Sequence, residues 1–190
     1  NAREVAALRE ALAERGRLGQ QGLLLDVHDA RAIALAHLAV VERHLATGRI
    51  GLGFVSGSGL RRGALASSVA HDAHNLVVVG MSDDDMAFAV GHLARIGGGI
   101  VVVDDGRVVA ECPLPVAGLL SDAPLADVIE QSLATNEAAA ALGWTGATPF
   151  LTLAFLALSV IPSLKITDRG LVDVDRFEIV PLVALAATEG

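Results

Sequence analysis

Four residues capable of chemistry fall within five positions: His71, Asp72, His74 and Asn75. Two imidazoles three apart, a carboxylate between them and a carboxamide after them can serve as general acid, general base and orienting partner. The same imidazoles, His71 and His74, are suitable ligands for zinc, manganese or iron. The spacing matches neither His-Glu-x-x-His nor His-x-Glu with a later Pro-Cys-x-x-Cys. Cys112 is the single cysteine, so it has no thiolate partner for a metal and no internal disulfide. Ser67 and Ser68 precede the cluster, but no Gly-x-Ser-x-Gly elbow presents either as a nucleophile. The plain alternative is a polar turn whose side chains satisfy backbone groups between buried strands. Three readings therefore stay open: an active-site loop, a metal site on His71 and His74, and a turn.

The elements that hold the cluster are apolar. Ala64–Ala70 and Leu76–Val79 flank it, and their unbroken apolarity predicts strands covered on both faces. Upstream, Ile50–Val55 predicts a short strand with glycine at alternate positions, where another backbone or a ligand comes close. Ser56-Gly57-Ser58-Gly59 follows as a loop, either a flexible turn or one whose amides meet an anion or polar ligand; Ser56 and Ser58 there, and Ser67 and Ser68 beside the cluster, are candidate substrate contacts. The run Ile33–Glu42 is ambiguous, helical over Ala32–Ala36 or strand-like over His37–Val41.

Residues 3–15 place Val5, Leu8 and Leu12 on one helical face, with Gly16 and Gly19 beyond it. A short strand at Leu23–Leu25 and a bracketed His28 between Asp26 and Asp29 follow. Ser82 is an N-cap, and Asp83, Asp84 and Asp85 oppose the helix dipole. That helix buries Met86, Ala89, Val90, Leu93 and Ile96, turns His92 outward and stops at Gly97–Gly99. Asp105-Gly106 predicts a hairpin between Ile100–Val103 and Arg107–Cys112. Residues 125–142 predict a second amphipathic helix burying Leu125, Val128, Ile129 and Leu133. Leu151–Val160 reads as an apolar strand or strand pair. Leu164–Ile166 and Leu171–Val174 read as strands about a turn at Asp168-Arg169-Gly170. Together these give an α+β fold: a layered sheet of mixed or antiparallel strands with hairpins, packed against two or three helices.

Composition narrows the function. Hydrophobic residues make up 53% and aromatics 3%, so the core is built of Ala, Val, Leu and Ile. Net charge is −8 with no basic stripe, which argues against nucleic-acid binding. The apolar segment Phe150–Pro162 is too short to span a bilayer, and the polar N-terminus lacks a signal-peptide pattern. These features suit a cytoplasmic protein without membrane partners. The absence of an initiator Met suggests a fragment or processed product.

Several long motifs resemble a known family. They are Gly51-Leu-Gly-Phe-Val55, Gly63-Ala-Leu-Ala-Ser-Ser-Val-Ala-His-Asp-Ala-His-Asn75, Gly97-Gly-Gly-Ile-Val-Val-Val-Asp-Asp-Gly-Arg-Val108, Pro113–Asp122, Pro149-Phe-Leu-Thr-Leu-Ala-Phe-Leu-Ala-Leu158 and Asp173–Glu178. In this order they resemble the C-terminal domain of bacterial adenine deaminase, over residues 38–182. Residues 1–37 then form a helical segment outside the resemblance, and 183–190 a tail. Ala73 stands where the family has serine, and Ser58 where it usually has an aromatic. The resemblance implies a hydrolase that turns adenine and water into hypoxanthine and ammonia, with a divalent metal, manganese or iron, in an N-terminal amidohydrolase barrel. It further implies the barrel and a purine as partners, a homo-oligomeric enzyme, and a role for the His71–Asn75 loop at the active site. No amidohydrolase-type His-x-His segment occurs in this chain, so the chain by itself is expected to be silent.

Overall fold

The computed structural model describes residues 6–11 and 35–182. The strand expected at Leu23–Leu25, the bracketed His28, the helix stop at Gly16 and Gly19, and the 183–190 tail lie outside the described residues, as do Val5 and Leu12. Residues 6–11 are helical (α1), with Leu8 fully buried.

Six strands form one antiparallel sheet: β1 (Ala36–Val41), β2 (Ile50–Val55), β3 (Ala64–Ser67), β4 (Leu76–Gly80), β5 (Gly99–Asp104) and β6 (Arg107–Pro113), in the order β2-β1-β4-β3-β5-β6. Each neighbouring pair in sequence, β1/β2, β3/β4 and β5/β6, is antiparallel. The ambiguity before Glu42 resolves as strand, because β1 lies between β2 and β4 and its register there is fixed by Val41 facing both Ile50 and Leu76. Helix α2 (Asp83–Ile96) carries the chain from β4 across the sheet to β5. Helices α3 (Leu125–Ala141) and α4 (Pro149–Leu156) follow, then a three-stranded sheet of β7 (Leu164–Thr167), β8 (Gly170–Asp173) and β9 (Glu178–Val180).

The central strands are apolar on both faces because both faces are covered. Leu76 and Val78 point to one side, into a core with Leu8 and with Met86, Val90 and Leu93 of α2. Val77 and Val79 point to the other, into a core with Leu142, Phe150, Leu153 and Ile166. The protein is thus three layers deep, with α1 and α2 on one face and α3, α4 and the small sheet on the other. Gly51 lets that small sheet approach: a Cβ there would sit 1.8 Å from the Thr167 carbonyl oxygen. The close approach read from alternate glycines in β2 is therefore a backbone contact.

Helix α2 follows its sequence signals. The Ser82 side chain accepts from the Asp85 N–H at 3.3 Å, and Gly97 closes the helix at φ 87°. The acidic first turn is structural throughout. Asp83 contacts His37, Asp84 lies 3.6 Å from Arg9, and Asp85 accepts from the Gly106 N–H. His92 departs from expectation: it is turned toward β6, where its Nε2 pairs with Glu111 at 2.5 Å.

Two further expectations are corrected. Residues 149–156 form helix α4, not a strand. Pro149 sits in the first turn, where its fixed φ suits a helix and its missing N–H costs nothing, and an apolar run this short carries no period to separate helix from strand. Helix α3 exists as expected but presents the opposite side to the core. It packs through Thr135, Ala138 and Ala139, while Leu125, Ile129 and Leu133 are 75%, 51% and 58% exposed. Small side chains let the helix lie close to β5 and β6, and the larger ones stay on the outer face.

Candidate functional site

The His71–Asn75 cluster is the connection between β3 and β4, the two strands at the middle of the sheet. Strand register places two other connections at the same end. Val41 faces Leu76, so the β1–β2 loop, residues 42–49, lies beside the cluster. The β7–β8 turn at Asp168 closes in from the small sheet. The site is therefore assembled from three loops standing on rigid strands.

Each loop contributes a specific tie. Arg43 Nε donates to the His74 carbonyl at 2.6 Å, and Arg43 Nη2 donates to the Ala117 carbonyl at 2.9 Å. His44 Nε2 lies 2.7 Å from the Ala73 carbonyl, so that nitrogen carries the proton and donates. Asn75 Nδ2 donates to Asp168 Oδ1 at 3.2 Å, and Asp168 Oδ2 accepts from Arg49 Nε at 2.7 Å. Gly118 makes room for the guanidinium, because a Cβ there would stand 2.9 Å from Arg43 Nη1.

The β1–β2 loop is itself organised by a buried carboxylate. Glu42, 3% exposed, accepts from the His44 and Leu45 amides through Oε1 and from the Thr47 amide and hydroxyl through Oε2. Burial alone pushes this carboxyl up. The amides of Thr47 and Leu45, the Thr47 hydroxyl and the His44 amide outweigh it and bring the group from 4.5 down to about 2.

Within the cluster, His74 adopts a left-handed backbone, φ 48°. That conformation lets its N–H donate to the Ala70 carbonyl at 2.6 Å while its Nδ1 accepts from the Ala70 N–H at 3.3 Å. A neutral ring with Nδ1 accepting carries its proton on Nε2, so His74 offers an N–H donor. Desolvation, with help from nearby His71, Arg43 and His44, lowers the His74 pKa from its ordinary value; only Asp72 acts the other way. His71 and Asp72 are exposed, and the two imidazoles meet edge to face, with centroids 5.1 Å apart. A cleft of about 200 Å³ opens on the Asp72 and Asn75 side of the loop, lined also by Leu158, Ser159 and Asp168 and not by either histidine. Asn75 is 6% exposed and its Oδ1 has no partner.

Among the described residues no three His, Cys, Asp or Glu side chains converge to hold an ion. His71 and His74 offer two imidazoles, and Nδ1 of the second is already engaged. The arrangement suits an exposed acid–base pair, His71 and Asp72, beside a fixed N–H donor, His74, and an anchored carboxamide, Asn75.

Two of the four candidate serines lie away from the cluster. Ser56 and Ser58 follow β2 at the opposite end of the sheet, since Val55 pairs with Ala36. Ser58 is buried and its Oγ accepts from the Leu60 N–H. Ser67 Oγ engages Val69, and Ser68 Oγ donates to the Gly118 carbonyl at 2.6 Å while accepting from the Gly99 N–H. The Ser68 hydroxyl ties separate loops together, whereas those of Ser58 and Ser67 make contacts within their own segments. Sequence reasoning missed Arg43, His44 and Asp168, whose contacts with the cluster span 31, 29 and 93 positions of the chain, and Arg49, which acts through Asp168. The adjacent Glu42-Arg43-His44 was the one available signal, three ionisable residues closing a strand.

Among the described residues no helix is long and apolar enough to cross a membrane. A family model described as the adenine deaminase C-terminal domain matches residues 21–178. The chain is 60% identical over 148 residues to an adenine deaminase of Oleidesulfovibrio alaskensis, an alignment covering 78% of this chain and 26% of that protein. It is 55% identical over 145 residues to one of Desulfatibacillum aliphaticivorans, covering 76% and 26%. It is 54% identical over 149 residues to adenine deaminase 2 of Carboxydothermus hydrogenoformans, covering 78% and 26%. The chain thus spans about a quarter of the length of the curated relatives it matches. The family match begins at residue 21, so it reaches into the N-terminal segment that the motifs left aside.

Proposed function

Since the chain belongs to the adenine deaminase C-terminal domain family, we propose that it is the accessory domain of an adenine deaminase, a hydrolase converting adenine and water to hypoxanthine and ammonia, and that its His71–Asn75 loop faces the catalytic centre. The observation that carries this reading is the loop's construction. Connections from two sheets converge on it: Arg43 and His44 of the β1–β2 loop hold its backbone and Asp168 of the β7–β8 turn holds the Asn75 side chain, while His71 and Asp72 stay exposed. Rigid support beneath exposed ionisable side chains is what a catalytic contribution requires.

In this reading the divalent metal, manganese or iron, belongs to the amidohydrolase barrel, as the family resemblance implies. The roles left to this chain are hydrogen bonding and proton movement. His74 Nε2–H donates to a purine acceptor, His71 and Asp72 relay protons at the rim, and Asn75 holds the base of the loop. The same reading places the enzyme in cytoplasmic purine metabolism, as a homo-oligomer.

A second reading is favoured by the His74 ring itself. Its Nδ1 satisfies the Ala70 N–H, as a structural turn would demand. On that view the loop supports the barrel without touching the purine.

The test of the domain's role is an adenine deamination assay with manganese or iron. The complete enzyme is expected to turn over and the 190-residue chain to be silent. Turnover by the chain alone would make the domain an enzyme in its own right and refute the accessory reading.

A further inference from the structure

From Ala138 to Leu164 the chain carries no charged residue. This stretch spans the end of α3, all of α4 and the turn into β7. Helix α4 is apolar but for Thr152, whose hydroxyl donates to the Thr148 carbonyl. Phe150, Leu153 and Ala154 enter the core, yet Leu151 and Phe155, one turn apart, are 48% and 46% exposed. The following turn adds Val160 at 68% and Ile161 at 40%. The turn is ordered: the Leu158 N–H donates to the Phe155 carbonyl and the Ile161 N–H to the Leu158 carbonyl. A helix with almost no polar side chain belongs in an interior, and exposed apolar side chains grouped together mark a contact surface.

We propose that this surface, Leu151 and Phe155 of α4 with Val160 and Ile161, is where the catalytic portion of the same enzyme docks. The proposal rests on the accessory-domain reading. Two observations select that occupant. The relatives carry about three quarters of their length outside the stretch this chain matches, so a large body of protein is available to cover the patch. The patch also borders the cleft beside the candidate loop, because Leu158 and Ser159, between Phe155 and Val160, line that cleft together with Asp72 and Asn75. A catalytic portion that presents its centre to His71 and Asp72 approaches from this side. A second copy seated there would block it.

The test is amide hydrogen exchange on the complete enzyme and on the 190-residue chain. The account predicts that amides of residues 150–161 exchange about tenfold or more slowly in the complete enzyme. It also predicts that Phe155→Lys with Val160→Lys removes that protection while leaving the melting temperature of the 190-residue chain unchanged. Equal exchange in the two proteins overturns the proposal. So does a dimer of the 190-residue chain that the double substitution dissolves, which would make a second copy the occupant. Protection in the complete enzyme together with normal turnover of its His71→Ala variant would keep the interface and reject the loop's role, so the two ideas fail separately.

Discussion

Asn75 and Asp168 join two sheets through one hydrogen bond: Nδ2 of the carboxamide donates to Oδ1 of the carboxylate at 3.2 Å, across 93 positions of sequence. An ionised carboxylate only accepts, so it fixes which way the amide points and leaves Asn75 Oδ1 facing away, without a partner. Asp168 in turn accepts from Arg49, which ties the β1–β2 loop into the same contact. The base of the candidate loop is thus held by a residue whose charge matters.

Asn75→Asp sets a second carboxylate against Asp168 at nearly the same volume. Like charges this close raise a carboxyl pKa, so the variant is expected to lose about 1–3 kcal/mol at neutral pH. The raised folded-state pKa makes the loss smallest in acid and larger as pH rises through it. Urea midpoints at acid and neutral pH read this directly, and an unchanged midpoint at neutral pH contradicts it.

Glu42 gives the opposite pH dependence. Its folded-state carboxyl lies at about 2, below its ordinary 4.5. The stabilisation it provides is therefore present above the ordinary value and is lost as pH falls toward 2. Glu42→Gln keeps the shape but removes the charge and one acceptor, and is expected to cost about 2 kcal/mol at neutral pH. The parent should lose stability more steeply than the variant on acidification.

His74 titrates below the ordinary histidine value, chiefly because it is desolvated and also because His71, Arg43 and His44 surround it. The folded protein therefore binds its proton later than the unfolded chain, and this residue destabilises the fold as pH falls through the ordinary value. Imidazole proton shifts followed by NMR are expected to show a depressed midpoint. Arg43→Ala should move it back up, since it removes a nearby positive charge; no movement would exclude Arg43 as a contributor.

Helix α3 separates exposure from hydrophobicity. Ile129→Glu on its outer face is expected to change stability by less than about 0.5 kcal/mol. Leu142→Ala, which empties a buried position in the same layer, is expected to cost about 2–5 kcal/mol. Thermal unfolding of both variants checks the orientation, and a costly Ile129→Glu would reverse it.

The hairpins and α2 were legible because their signals are local. Asp105-Gly106 needs only its own turn, and Ser82 with Gly97 caps one helix from within it. The side that α3 presents was not legible, because periodicity locates an apolar stripe and cannot say whether the core wants that stripe or the small residues Thr135, Ala138 and Ala139 opposite. Leu151–Val160 misled for a related reason: eight apolar residues show no period, and Pro149 was the only cue to a helix. The candidate loop itself stood out through the density of His71, Asp72, His74 and Asn75. Its supports did not, since Arg43, His44 and Asp168 reach it only through strand order, which no short-range pattern encodes.

The most direct measurement is the turnover of the complete enzyme with His71→Ala, set beside its melting temperature. His71 is exposed at the rim of the loop, so the account predicts a fall in kcat of about 100-fold with the melting temperature unchanged. Normal turnover with a lowered melting temperature would contradict it and make the loop a structural turn.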